Sequence, residues 1–460
     1  MTMWVPVLSG EGPRYRQVAD AIVAAIGTGE LAEAEKLPPQ RRLAHALGVT
    51  TGTITRAYAE VERRGFVQAR VGSGTYVCAA VADTFTHVRA QADAGQVDLS
   101  LSLPPPCALR AQGLGRAMAA LQNDVSALTH AMDYQPEGGL AMHRRVYARW
   151  LTQLGLPMAA DELLIDQGGM NGIFLSLSTL LAPGERLAAE MLTYPGLISV
   201  AQQLGIRTVA VEHDDQGIDI DALVMRHERQ PFAALYVMPE HQNPTTAALS
   251  ESRRQALVAL ARERDFWLIE DGVQYIRERA TPLYQLAPER TVYLFSVAKM
   301  FGGGMRSGVI RVPAALSARM AAALRNQSWM PPPLIASLVC RWIESGDADR
   351  LLAWQCEEMA ARHALVETYL AGYDYSGRTD GFYIWLRLPA GRRANGFVDE
   401  LAESGIRVTP AEPFCVGSEP APQAVRICIS AAADREALQR ALATIRERLD
   451  SPGPAVWRTL

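Results

Sequence analysis

Short apolar runs alternate with amphipathic helical stretches along most of the chain, from residue 97 onward. A short continuous apolar run is typical of a strand buried on both faces, whereas a 3.6-residue period is typical of a helix. The alternation therefore predicts an α/β domain with a mainly parallel sheet and helices on both faces. The predicted strands are Leu163–Ile165, Arg186–Glu190, Arg207–Val211, Ala233–Met238, Trp267–Glu270, Thr291–Phe295 and Gly308–Val312.

The N-terminal part of the chain has a different pattern. Residues 15–26 carry a helical apolar face, and two further helical stretches follow, separated by Gly48. Thr50 or Thr51 can cap the last of these helices. Residues 65–77 alternate apolar and polar positions around a Gly-Ser-Gly tip, which predicts a hairpin after the helices and hence a winged helix-turn-helix. The predicted parts are this domain over 1–78, a linker over 79–97 and the α/β domain over 98–460.

Charge and cysteine content narrow the possible functions. The 460 residues carry a net charge of −4, which shows no overall preference for nucleic acid. Residues 1–78 hold nine Lys or Arg against seven Asp or Glu, an excess with the sign expected of a DNA-binding segment. The six Cys lie far apart without a Cys-x-x-Cys pair, so we expect no metal site, no disulfide scaffold and a reduced, cytoplasmic setting. We also expect no signal peptide and no membrane span.

Polar residues follow the carboxyl ends of the predicted strands, where open α/β sheets bind their ligands. Lys299 comes three residues after Ser296, and Arg306 follows a run of glycines. A lysine at the end of a buried strand can be desolvated and partly neutral, as an imine-forming amine must be. The Ser hydroxyl and the Arg fork can share a phosphate. The other candidates are Gly169, Met170, Tyr194, Asn243, Asp271 and Gln274 at strand ends, and Arg426 within an apolar strand.

Each of these residues also has an ordinary structural interpretation. Lys299 could lie in a loose surface loop, Asp271 could be a turn residue or a helix cap, and Tyr194 could belong to the core. Arg426 could pair with a structural carboxylate. Their joint occurrence at successive strand ends favours a binding site.

Several short motifs occur together in the N-terminal segment: Leu37-Pro38, Arg41, Leu43-Ala44, Leu47-Gly48-Val49-Thr50, Ala57-Tyr58 and Gly72-Ser73-Gly74-Thr75-Tyr76-Val77. As a set they resemble the winged helix-turn-helix of GntR-type bacterial regulators. The resemblance implies that Arg41 grips phosphate or base, that Thr53 reads the major groove, and that Gly74 enters the minor groove with the wing. Thr51 stands where the family usually has an Arg, so we expect Arg56 to supply the charge. The alternative is a helical dimerisation cap that never meets DNA.

Three motifs of the second domain follow one another at intervals of roughly thirty residues, namely Asn243-Pro244-Thr245, Asp271 and Ser296-x-x-Lys299. Their order resembles the fold-type I pyridoxal-phosphate enzymes of the aspartate aminotransferase superfamily, over nearly all of residues 98–460. Joined to the N-terminal motifs, the chain resembles the MocR subgroup of GntR regulators. The resemblance implies this fold type, pyridoxal 5'-phosphate as the cofactor and a homodimer.

The second resemblance also implies a role for each candidate residue. Lys299 forms an aldimine with the cofactor, Asp271 faces the pyridine nitrogen, and Asn243 bonds the ring phenolate oxygen. Gln274 stands near the place of a family Tyr and is expected to donate to the same oxygen. The other implied roles are ring stacking for Tyr194, phosphate binding for Gly169, Met170, Ser296 and Arg306, carboxylate binding for Arg426 and a substrate-side position for Tyr134.

These implications predict a pyridoxal-phosphate-dependent transcriptional regulator that senses an amino acid or amine through an aldimine at Lys299. Its expected partners are double-stranded operator DNA, the effector and a second copy of the chain. Two alternatives stay open. One is a catalytically active aminotransferase with an N-terminal DNA-binding or oligomerising domain, because Lys299, Asp271 and Arg426 are all present. The other is a regulator that binds its effector without pyridoxal phosphate.

Overall fold

The chain divides into two compact units, and the division along the sequence falls after Gln91. A computed structural model describes residues 4–6, 8, 12–32, 35–63, 66–70, 74–77, 96–277, 280–417 and 419–451. Most of the predicted linker lies outside the described residues, as do Gly72 and Ser73 of the predicted wing tip. The domain limits 1–78, 79–97 and 98–460 therefore stay predictions.

The first unit is a three-helix core with an antiparallel hairpin. Its elements are α1 (Arg14–Gly27), α2 (Gln40–Leu47), α3 (Thr51–Arg63), β1 (Val67–Arg70) and β2 (Gly74–Val77). Val18, Ile22, Leu43, Ile54 and Val61 are fully buried between the helices. They lie at helical spacing, so each helix turns one apolar stripe inward. The predicted winged helix-turn-helix is therefore confirmed as a fold.

Local capping builds the turn between α2 and α3. Helix α2 ends at Gly48, whose φ of 64° is left-handed and suits glycine. Thr50 then accepts a hydrogen bond on its Oγ1 from the amide of Thr53 at 3.2 Å, which caps the start of α3. The hydroxyl of Tyr58 on α3 donates to the carbonyl of Pro38 at 2.7 Å and fixes α3 against the start of α2.

The second unit alternates strands and helices. Its strands are β3 (Val97–Asp98), β4 (Leu163–Asp166), β5 (Arg186–Glu190), β6 (Arg207–Val211), β7 (His213–Asp214), β8 (Gly217–Ile218), β9 (Ala234–Val237), β10 (Trp267–Asp271), β11 (Thr291–Ser296), β12 (Gly308–Arg311), β13 (Tyr375–Gly377), β14 (Ile384–Arg387), β15 (Ile406–Arg407), β16 (Thr409–Pro410) and β17 (Ala424–Ile427). Its helices are α4 (Ala108–Gln122), α5 (Val125–Met132), α6 (Ala141–Gln153), α7 (Gly169–Leu180), α8 (Pro195–Gln203), α9 (Ile220–Arg229), α10 (Glu251–Glu263), α11 (Leu283–Leu286), α12 (Ser317–Ser328), α13 (Pro333–Glu344), α14 (Asp347–Tyr369), α15 (Ala394–Glu403) and α16 (Arg435–Asp450).

The central sheet has seven strands in the order β4-β12-β11-β10-β9-β5-β6. Strand β12 runs antiparallel to both of its neighbours, and the other adjacent pairs are parallel. All seven predicted strands are present, and the mainly parallel sheet is confirmed. Because β9, β10 and β11 are adjacent and parallel, the residues that follow them meet at one edge of the sheet.

Both faces of the central sheet are covered. Along β11, Val292 and Leu294 pack with residues of α7 and α8, whereas Tyr293 and Phe295 pack with residues of α6 and α13. Successive side chains of a strand point to opposite faces, so this division shows a helical layer on each side. Burial on both faces explains why the strands are continuous apolar runs in the sequence.

A smaller antiparallel sheet, in the order β13-β14-β17-β16, belongs to the same unit. Its strand β17 carries Arg426, which lies opposite Trp385 of β14 and Thr409 of β16. An arginine in the middle of a paired, buried strand must find its hydrogen-bond acceptors inside the protein. The acceptors of Arg426 are Asn243 and the Ser100 carbonyl, which belong to the candidate site.

Candidate cofactor and effector site

Lys299 lies directly beyond the carboxyl end of β11. The strand ends at Ser296, and residues 297–299 form a single 3-10 turn. The Ser296 hydroxyl accepts a hydrogen bond from the Ala298 amide at 3.2 Å, which turns the chain at this point. The Lys299 amine donates to the carbonyl of Ser102, and its Nζ lies 3.3 Å from the Ser102 hydroxyl.

Burial changes the protonation of Lys299. Burial is the largest cause and lowers the pKa of the amine to about 8. Arg426 acts in the same direction, while Cys428 and Asp271 act against it. An amine with this pKa is partly neutral near pH 7, and only the neutral form can add to an aldehyde.

Asp271 ends the neighbouring strand β10 and is 5% exposed. Its Oδ2 accepts from the Tyr236 hydroxyl at 2.5 Å, and its Oδ1 accepts from the Val273 amide at 2.9 Å. Burial is the largest cause and raises the pKa of Asp271 above its usual value, and these two donors and the charge of Lys299 oppose the rise. The carboxylate is thus held in a fixed orientation by donors that favour its ionised form.

Arg426 and Asn243 form the opposite part of the site. Arg426 donates from Nη1 to Asn243 Oδ1 at 2.7 Å and from Nη2 to the Ser100 carbonyl at 2.7 Å. Its guanidinium carbon lies 4.8 Å from the Phe414 ring centroid and 5.5 Å from that of Tyr383. Its Nε is buried and has no acceptor among the described residues. A planar anion such as a carboxylate can use this remaining donor.

Gly168, Ser296 and Arg306 converge at the start of α7. Gly168 has a φ of 92°, and a Cβ there would lie 3.3 Å from both Arg306 Nη2 and Ser296 Oγ. Helix α7 begins at Gly169, so the amides of Gly169 and Met170 are in its first turn and have no acceptor within the helix. A helix N-terminus beside a hydroxyl and a guanidinium is suited to bind a phosphate.

Asp166 lies next to Gly168 and Arg306, which with Ser296 we call the phosphate cradle. Its role was not predicted from the sequence. It ends β4, is 2% exposed, and accepts from the Gly168 amide at 2.9 Å. Burial raises its pKa to about 7, while the Gly168 amide and the charge of Arg306 oppose the rise. A partly protonated carboxyl limits the repulsion that a bound phosphate would otherwise meet. The only signal in the sequence was an acidic residue at a strand end.

Tyr194 and Gln274 also come from strand ends. Tyr194 precedes α8, and its hydroxyl donates to the sulfur of Met170 at 3.3 Å. Gly196 makes room for this ring, because a Cβ there would lie 2.4 Å from Tyr194 Cε1. Gln274 is 6% exposed, and its Nε2 is buried with no acceptor in the part of the chain that the structure describes. A buried unpaired amide donor is suited to meet a ligand oxygen.

Tyr134 is the candidate that lies apart from this group. It is 82% exposed, and its ring packs on Trp329 with 5.7 Å between the centroids. Its substrate-side role stays a prediction. Tyr236 on β9 and Ser100 after β3 were, like Asp166, not anticipated from sequence. A tyrosine inside an apolar strand was the one available signal, because a buried hydroxyl needs a partner.

The candidate DNA contacts lie on α2, α3 and the hairpin. Arg41 in the first turn of α2 and Thr51 at the start of α3 are exposed. Thr53 is engaged in the helix cap, with its hydroxyl 2.9 Å from that of Thr50. Arg56 places its guanidinium carbon 4.1 Å from the Tyr15 ring centroid. Gly74 is the exposed first residue of β2, and a Cβ there would lie 2.5 Å from Lys36 Cε.

Two known protein families match separate parts of the chain. Residues 104–445 match the family described as aminotransferase class I and II, and residues 14–77 match the bacterial regulatory proteins of the gntR family. The chain belongs to the aminotransferase class I and II family. Together with the gntR-type domain this is the MocR-type architecture of HTH-type transcriptional regulators, and the gntR-type domain implies binding to DNA.

Two regulators and one solved structure are similar to most of the chain. The chain is 28% identical over 97% of its length to the uncharacterized HTH-type transcriptional regulator YdeF of Bacillus subtilis, of which it covers 97%. It is 30% identical over 67% of its length to the pyridoxine biosynthesis regulator PdxR of Corynebacterium glutamicum, covering 68% of that protein. An archaeal alanine:glyoxylate aminotransferase matches in structure with a TM-score of 0.71 and 21% identity, over 84% of this chain and 97% of that one.

Pyridoxal phosphate is the cofactor that membership of this family implies, and the residues of the site fit it. The chain offers a buried amine of lowered pKa, a glycine-lined phosphate cradle and the unpaired Gln274 Nε2. Lys299 would bind the aldehyde, and Asp271 would hold a proton on the ring nitrogen. When bound, the cofactor supplies a reversible covalent site for primary amines and an electron sink.

Neither a metal centre nor a membrane-spanning helix is found within the described ranges. No group of three or more His, Cys, Asp or Glu there could hold a metal ion. No helix of this part of the chain is long and apolar enough to cross a membrane.

Covalent cofactor attachment is predicted to occur at Lys299 alone. The sequence contains only two lysines, Lys36 and Lys299, so the matched control is available within the chain. After incubation with pyridoxal phosphate and reduction with borohydride, Lys36→Arg should keep one label per chain and Lys299→Arg should have none. Intact-mass spectrometry measures both. A label retained in Lys299→Arg would contradict the assignment.

The rate of cofactor attachment is predicted to follow the titration of Lys299. Because only the neutral amine reacts, the initial rate should rise with pH and level off above about pH 8. For a pKa near 8 the rise between pH 7 and pH 9 is about tenfold, whereas an ordinary lysine with a pKa of about 10.4 would rise about a hundredfold without levelling. Stopped-flow absorbance of the apoprotein mixed with pyridoxal phosphate distinguishes the two curves.

Proposed function

We propose that this protein is a transcriptional regulator that binds pyridoxal phosphate at Lys299 and senses an amino acid by exchanging that covalent bond for one to the effector's amine. The observation that carries the proposal is that two buried cationic groups, those of Lys299 and Arg426, lie close enough for the charge of one to affect the other. Lys299 supplies the reversible site for an amine, and Arg426 retains an unpaired Nε for a carboxylate. An effector with both groups would engage both residues.

Arg426 is prepared for an anion by its surroundings. Asn243 and the Ser100 carbonyl use two of its donors and fix the plane of the guanidinium. Phe414 and Tyr383 flank that plane and exclude water. A pre-oriented, partly desolvated guanidinium binds a carboxylate more tightly than an exposed one does.

Self-association belongs to the same proposal. Val125 and Met132, on one face of α5, are 74% and 81% exposed, and Tyr134 and Trp329 are 82% and 58% exposed. Exposed apolar side chains in this number support an interface with a second copy. A cytoplasmic homodimer would carry two DNA-binding units and fit a repeated or palindromic operator.

A catalytically active aminotransferase is the second candidate function. The specific observation in its favour is that Lys299, Asp271, Asn243 and Arg426 are all positioned in one site. Steady turnover of an amino acid and keto acid pair, together with no sequence-specific retention of DNA, would favour the enzyme over the regulator.

Loss of the Arg426 guanidinium is predicted to weaken the binding of amino acids more than the binding of simple amines. In Arg426→Leu, the concentration of amino acid that half-saturates the change in the cofactor absorbance should rise about 10- to 100-fold, because a charge-assisted bidentate contact is lost. The response to a simple alkylamine should change little. The exposed Arg440→Leu serves as the control. If Arg426→Leu weakened the binding of amines and of amino acids equally, the assigned role would be contradicted.

The same titrations test the function as a whole. A panel of amino acids and amines is screened for a change in the cofactor absorbance of the wild type, in parallel with retention of DNA from upstream of its gene. The regulator proposal expects one ligand to change both signals. A ligand that changes the absorbance and leaves DNA retention untouched would contradict it.

Dimerisation is predicted to depend on the α5 face. Met132→Glu should lower the sedimentation mass toward that of one chain, because a charge is placed in an apolar interface. Met225→Glu is the matched control, since Met225 is also exposed, at 52%, but lies on α9. A wild-type protein that sediments as a monomer, or a Met132→Glu variant that stays dimeric, would contradict this interface.

A further inference from the structure

The first five residues of α3, Thr51 to Thr55, include no charged side chain. Thr51, Gly52 and Thr55 are exposed among these five residues, and Arg56, which follows them, is exposed as well. The Thr55 hydroxyl donates to Oε1 of Gln40, at the start of α2, at 2.7 Å. Gln40 thereby extends the surface of α3 with an amide. We call Gln40, Thr51, Gly52 and Thr55 the reading face.

Thr50, Thr53 and Arg56, which neighbour the reading face, make contacts within the protein. The hydroxyl of Thr50 accepts from the Thr53 amide, so both threonines are engaged in the cap. Arg56 is the first cation along α3, and it stacks on Tyr15 of α1. Arg56 is itself exposed, and this contact holds its guanidinium against the Tyr15 ring. The guanidinium that would most readily read guanine is missing from this face.

The chemistry of the reading face matches an A·T pair. Glutamine recognises adenine through two bonds, donating to N7 and accepting from the N6 amine. The Thr55 hydroxyl lies 2.7 Å from Gln40 Oε1 and 3.0 Å from the Thr51 carbonyl. Its contact with Gln40 orients the amide, whose NH2 group and second lone pair stay available. Threonine methyl groups contact the thymine methyl, which no G·C pair has in the major groove.

Gly52 permits the close approach that such contacts need. A Cβ at Gly52 would have one neighbour within 4 Å, Thr50 Oγ1 at 3.9 Å, so the space in front of it is open to solvent. The absent side chain leaves the backbone of α3 free to come near base edges. Methyl and amide contacts are short-ranged and depend on this proximity.

We propose that the reading face specifies A·T pairs in each operator half-site. Gln40, oriented by Thr55, reads an adenine, and Thr51 contacts a thymine methyl at a neighbouring pair. This inference rests on the proposed function only in that the N-terminal unit binds DNA specifically. Exposed cations beside the reading face, such as Arg41, are available to the phosphate backbone, and phosphate contacts add affinity without sequence information.

The test uses the full-length protein with pyridoxal phosphate bound. Double-stranded sites are first selected by the wild type from a random pool, and each adenine of the half-site is then replaced in turn by 7-deazaadenine, which lacks N7. One adenine is expected at which this change weakens wild-type binding by about 5- to 150-fold. Gln40→Ala should abolish the difference at that position, and Thr55→Val should reduce it.

In a second experiment, each thymine of the half-site is replaced by uracil, and a Thr51→Arg variant is tested for a new base preference. Uracil lacks the C5 methyl, so one position should lose affinity in the wild type and show no such loss in Thr51→Ser. Thr51→Arg should shift the selected base at that position to guanine. Gln17→Ala, which removes an exposed amide on α1, is the control and should leave all preferences unchanged.

The outcomes separate this inference from the regulator proposal. Specific retention by the wild type with identical base preferences in Gln40→Ala and Thr51→Arg would overturn the reading face alone. Selection of G·C at the position that Gln40→Ala affects would also overturn it. Failure of the wild type to retain any sequence specifically would overturn both. Far-UV circular dichroism and binding to non-specific DNA at low salt establish that the variants are folded.

Discussion

The burial of two cations in one pocket is the constraint on which the second unit depends. Removing a charge from water costs on the order of several kcal/mol unless partners replace the lost solvation. Arg426 meets this cost with Asn243, the Ser100 carbonyl and two aromatic faces. Lys299 meets it differently, because its lowered pKa allows the amine to release its proton. The pocket therefore favours anionic groups and a reactive neutral amine together.

The order and direction of the strands bring the residues of this site together. Strands β9, β10 and β11 are adjacent and parallel, so the segments after them bring Asn243, Asp271 and Lys299 to one edge. Arg426 comes from the separate sheet through β17, and Ser100 comes from the segment after β3. Residues more than three hundred positions apart in the chain are thereby joined through a single guanidinium.

The parts of this site differ in how far the sequence could predict them. Continuous apolar runs identified the seven strands of the central sheet, because burial on both faces leaves no polar alternation to interpret. The antiparallel direction of β12 was not visible, since a pattern of side chains carries no strand direction. Tyr236 and Ser100 were missed because their contacts with Asp271 and Arg426 depend on pairing between distant segments. Tyr134 illustrates the converse, as its motif was recognised but its 82% exposure was not predictable.

In the first unit, affinity and specificity fall on different residues. An excess of two positive charges over residues 1–78 provides only a modest attraction to DNA phosphates. Gln40 and Thr51, which we propose discriminate bases, are neutral and would add little long-range attraction. One such unit would therefore bind weakly, whereas two units joined through a dimer gain from effective concentration when both half-sites are within reach. A change in the spacing of the two DNA-binding units of such a dimer would then alter DNA binding without altering any base contact. An effector bound at Lys299 would act on the operator if it changed that spacing.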